Sequence, residues 1–92
     1  MSKTTFDESI KKAAGKFSTV AGIKDFTDEQ GLRKLLSDPT KPTNETLKFI
    51  IEIFNQAKTD KTQPSVETFT EIVAFKSHIL NSNANQRLKT EL

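Results

Sequence analysis

The stretch from Thr43 to Lys58, TNETLKFIIEIFNQAK, limits what this chain can fold into more than any other. At about 100° per residue, Leu47, Phe49, Ile50, Ile51, Ile53, Phe54 and Ala57 fall in one arc of roughly 200°, and Glu45, Lys48, Glu52, Asn55 and Gln56 share the remainder. A helix on a protein surface needs an apolar stripe only a little over about 100° wide. The excess predicts a central helix over residues 43–58 that is touched by neighbours on two or three sides. The expected architecture is therefore all-α, a bundle of four helices within one domain of residues 1–92, with room for a short fifth helix at the C-terminus.

The segments before this hub carry helix-start chemistry. Thr5-Phe6-Asp7-Glu8 has capping-box spacing, in which the Thr hydroxyl and the Glu carboxylate each satisfy a backbone N–H left free at a helix start. Phe6, Ile10, Ala13, Ala14 and Phe17 follow on one helical face. Gly15 marks either close packing or an early helix end, and Gly22 is a candidate left-handed residue just after the last turn. Ser18 to Phe26 reads as a loop that Ile23 and Phe26 pin to the core. Thr27 to Gln30 repeats the capping-box spacing ahead of a short helix with Leu32, Leu35 and Leu36 inward, and Asp38-Pro39 stops it because proline excludes helical geometry from the residue before it.

After the hub, Pro64-Ser65 opens a fourth helix reaching about Asn81. Pro42-Thr43-Asn44-Glu45-Thr46-Leu47 and Pro64-Ser65-Val66-Glu67-Thr68-Phe69 share the pattern P-[TS]-x-E-T-[LF], which is either a duplicated helix or two independent solutions to starting one. Val66, Phe69, Ile72, Val73, Phe75, Ile79 and Leu80 spread over about 180° of the wheel, with Lys76 inside that arc. Either the Lys76 stem lies on the core while its ammonium reaches water or a carboxylate, or part of this face is open and Lys76 is a contact residue. The fourth helix is expected to lie antiparallel beside the central one. His78 falls on the polar side as a solvated side chain. Asn83 is the expected cap of a fifth helix starting at Ala84, with Leu88 and Leu92 docking on the bundle.

Composition narrows the function classes. The absence of cysteine excludes disulfides, thiolate catalysis and cysteine-held metals. One His and no Tyr leave carboxylates, lysines and hydroxyls, and no catalytic or phosphate-cradling motif occurs, so the expectation is a protein that is not an enzyme and needs no cofactor. The longest dense apolar run, Phe49 to Phe54, is short and contains Glu52, and MSKTTFDESI lacks an export core, so a cytoplasmic location without a membrane span is expected. Net charge is only +2, yet five lysines stand against two carboxylates in residues 1–24. These are either dipole-complementing surface charges or a partner-binding patch.

The leading functional expectation is a binding protein that docks on a protein or ribonucleoprotein complex, with Lys11, Lys12, Lys16, Lys24, Arg33, Lys34 and Lys76 as candidate contact residues. In its small size, lack of cysteine and lack of a catalytic constellation, the chain resembles small phage-encoded inhibitors of host machines, anti-CRISPR proteins among them. That resemblance is compositional and assigns no family. One alternative is a nucleic-acid-binding regulator, since Gly31 to Asn55 is superficially a helix-turn-helix; its turn is long and its second helix too apolar to lie in a groove. The other is a homodimeric module that buries the face around Lys76.

Overall fold

The computed structural model describes residues 4–20, 22, 23, 26, 28–37 and 43–92. Among these residues it contains no strand and five helices, α1 (Phe6–Gly15), α2 (Glu29–Ser37), α3 (Asn44–Asp60), α4 (Val66–Leu80) and α5 (Gln86–Glu91). The all-α bundle read from the sequence is present, and α3 is the longest of its described helices. Leu47, Phe49, Ile50, Ile51, Ile53 and Ala57 of that helix are all buried.

The caps form largely where hydroxyls stand ahead of apolar periodicity. Thr5, Thr43 and Ser65 accept the N–H groups of Glu8, Thr46 and Thr68. For α2, the Asp28 carboxylate accepts from the Gly31 N–H at 3.0 Å, and the Asp7 carboxylate of α1 accepts from the Glu29 N–H at 2.9 Å. The expected caps and stops at Thr27, Asp38-Pro39 and Pro42 lie outside the described residues. Gly15 closes α1, and nothing lies within 4 Å of a Cβ built there, which decides for an early helix end over close packing. Gly22 stands in a later turn without a positive φ, so it is not the left-handed residue expected after α1. The Ile23 N–H donates to the Val20 carbonyl and the Phe26 N–H to the Ile23 carbonyl, Ile23 is buried, and the Phe17 and Phe26 rings lie 5.7 and 5.2 Å from the Phe49 ring.

Two expectations are corrected. The fifth helix is capped by Asn85, not Asn83. Its side-chain oxygen accepts from the Arg87 and Leu88 N–H groups, and this start turns Leu88 into the core. More consequentially, α4 is not the close mate of α3. The helices pair as α1 on α3 and α2 on α4, with α5 closing against α3. An apolar arc reports how much surface wants covering and not which neighbour covers it; here α1, with Ala13 and Ala14 among its buried residues, is the helix that lies on α3.

Candidate docking surface

The apolar residues of α4 divide into two stripes. Ile72, Phe75 and Ile79 point inward and are buried, together with Thr68. Val66, Phe69, Val73 and Leu80 form the second stripe and are exposed to 79%, 59%, 52% and 51%. The repeated helix-start pattern makes the contrast exact by position. Leu47 and Ile51 of α3 are exposed to 1% and 5%, while their equivalents in α4 are Phe69 and Val73. The same grammar thus yields one helix on which these two positions are sealed and one on which they stand open. Clustered exposed apolar side chains mark interaction surfaces, whereas scattered ones need no explanation.

Because α4 pairs with α2, a groove of about 540 Å³ opens between α4 and α3. Phe6, Phe54 and Ile72 line it with Phe69, and Lys58 and Lys76 supply its cations. The Lys76 ammonium lies 5.0 Å from the centre of the Phe54 ring. Lys76 is half-buried, and among the described residues its charge is met by an aromatic face rather than a carboxylate, an interaction of about 0.5–1 kcal/mol when exposed.

The other candidate residues are engaged differently. Lys12 pairs with Asp60 at 3.3 Å, Lys16 with Glu52, and Arg33 Nε with Glu71 at 2.6 Å. Lys11 and Lys34 are exposed on α1 and α2, and Lys24 lies outside the described residues. His78 is exposed near the end of α4. Of the described candidates, Lys12, Lys16 and Arg33 are thus held by carboxylates of their own chain.

Two polar knots complete the surroundings. Asp60 accepts from Gln56 Nε2 at 3.1 Å, from the buried Ser9 hydroxyl at 2.9 Å and from Lys12; Ser9 also meets the Thr62 hydroxyl at 2.8 Å. These bonds, the one from Gln56 foremost, hold the Asp60 carboxyl below the ordinary carboxylate range against the opposing effect of burial. The Glu29 carboxylate accepts from the Ser65 N–H, the Ser65 hydroxyl and the Thr68 hydroxyl, the last at 2.6 Å. Neither knot was read from the sequence, although Ser9 on the Phe6–Ile10–Ala13 face and Gln56 four residues before Asp60 were visible signals. Every buried side-chain nitrogen and oxygen among the described residues has a hydrogen-bond partner. No group of three or more metal-ligating side chains occurs among them, and no helix there is long and apolar enough to cross a membrane.

Compared with known proteins, the chain matches no protein-family model, no curated protein and no solved structure at a significant level.

Proposed function

We propose that this protein is a non-catalytic docking module that binds another macromolecule through the open stripe of α4 and the adjoining α3–α4 groove. The observation that carries the reading is the exposure of Phe69 and Val73 in a molecule whose equivalent positions on α3 are sealed. Inhibition of a host nucleoprotein complex, or an accessory role within one, is the activity such a surface would produce by covering a site on its partner. The nucleic-acid reading draws less support, because Lys12, Lys16 and Arg33 already hold carboxylates of their own chain and α3 keeps its long apolar face inside.

The test is affinity capture from the native host with three proteins: wild type, Phe69→Glu/Val73→Glu, and Lys11→Gln/Lys34→Gln. The α4 variant is expected to keep its helical circular dichroism and lose the captured partner, while the lysine variant keeps both. A folded α4 variant that retains every partner overturns the proposal.

A further inference from the structure

We infer that the segment seated on this surface is an acidic amphipathic helix about four turns long, an inference that rests on the docking reading above. Val66, Phe69, Val73, Lys76 and Leu80 follow one another at steps of three and four residues, the a/d spacing of a seam between two helices. From first to last they span about 21 Å of helix axis. An apolar stripe of equal length on a partner would cover Val66, Phe69, Val73 and Leu80, and one large side chain of that stripe would enter the groove over Phe6, Phe54 and Ile72.

Charge fixes the sign of the partner. Lys76 occupies an inner position of the seam, so any helix laid along α4 takes water from its ammonium, and a buried charge without a counter-charge is strongly destabilising. Phe54 offers it a ring face, Lys58 adds a second cation, and no carboxylate among the described residues lines the groove. The missing anion must come from the incoming helix, as Asp or Glu flanking its apolar stripe.

A second copy of the chain is poorly suited to the role. In a two-fold interface the same patch meets itself, so Lys58 and Lys76 would confront a surface that also carries two cations and no acid. The nearest carboxylates on α4 do not help: Glu67 and Glu71 each stand two residues from Phe69, off the seam, and Glu71 is held by Arg33.

A display library of helical peptides of about four turns tests this, with Leu, Ile or Phe at the a and d positions and Glu, Lys or Gln in equal shares at the flanking ones. It is selected on wild type, on Lys58→Glu/Lys76→Glu and on Phe69→Glu/Val73→Glu, with the mass of each protein checked by sedimentation. The expected result is enrichment of Glu over Lys by at least about fivefold on wild type, the opposite preference on the double lysine variant, and nothing retained on the α4 variant. Three results overturn the inference. If peptides are retained with no Glu preference, docking stands and the acidic partner falls. If wild type sediments at twice 10.3 kDa, and the α4 variant does not, the occupant is a second copy. If wild type retains no more peptide than the folded α4 variant, the docking reading falls as well.

Discussion

Lys61 ends α3 at φ 57° and ψ 42°, a left-handed conformation that costs a residue with a Cβ about 1–2 kcal/mol. The strain is held by two bonds, since the Lys61 and Thr62 N–H groups both reach the Ala57 carbonyl. Glycine adopts this conformation freely, so Lys61→Gly should stabilise the protein by roughly 0.5–1 kcal/mol, read as a higher urea midpoint at unchanged slope. One residue earlier, Asp60 has the opposite character, a side chain held by favourable bonds to α1 and α3. Its carboxyl is lowered in the folded state, so the unfolded chain binds the proton more tightly. The resulting stability is complete above the unfolded carboxylate value of about 3.9 and is lost as pH falls through the lowered one. Asp60→Asn should therefore be less stable than wild type at neutral pH, with the gap closing in acid. A gap that stays constant down to about pH 2.5 would show that the carboxylate charge is not what Ser9, Lys12 and Gln56 are organised around.

At the level of elements, equivalent positions on α3 and α4 make a direct comparison. Leu47→Ala removes a sealed side chain and should cost about 2–5 kcal/mol, as should Ile50→Ala, whereas Phe69→Ala should cost less than about 1 kcal/mol in the isolated protein. Urea unfolding of the three variants checks this, and a costly Phe69→Ala would mean that the open stripe is covered after all. Helix starts and inner faces were legible because capping and periodicity are local: Thr5, Thr43 and Ser65 cap where hydroxyls precede apolar repeats. Helix partnership was not legible, because the wide arcs of α3 and α4 record apolar surface without saying which neighbour covers it. The candidate site was half legible for the same reason. Lys76 stood out as a cation within an apolar arc, but its Phe54 partner depends on the separation of α3 and α4. The Glu29 knot is non-local too, linking α2 to the start of α4 across 36 residues.

For the whole molecule, what matters about a nearly balanced charge of +2 is where its lysines stand. Between α1 and α3, Lys12 and Lys16 face carboxylates, whereas Lys58 and Lys76 at the α3–α4 groove meet none among the described residues that line it. Two charge-reversed proteins separate these roles. Lys12→Glu/Lys16→Glu and Lys58→Glu/Lys76→Glu each replace two lysines, and each replacement lowers the charge by two, so both variants go from +2 to −2. Any effect of net charge on stability is then common to the pair. In the first variant the new carboxylates meet Asp60 and Glu52, turning two attractions between α1 and α3 into repulsions. It should melt clearly below wild type and recover part of the loss in about 1 M salt, where charges separated by more than roughly 3 Å are screened. In the second variant no carboxylate of the groove is opposed; what is lost is the contact of Lys76 with Phe54 and the favourable placement of the Lys58 cation in the last turn of α3, so it should melt only slightly below wild type and well above the first variant. Equal destabilisation of the two would show that the groove lysines support the fold. The expected inequality leaves them as charges that the isolated protein does not need, and whose use must be sought in what binds there.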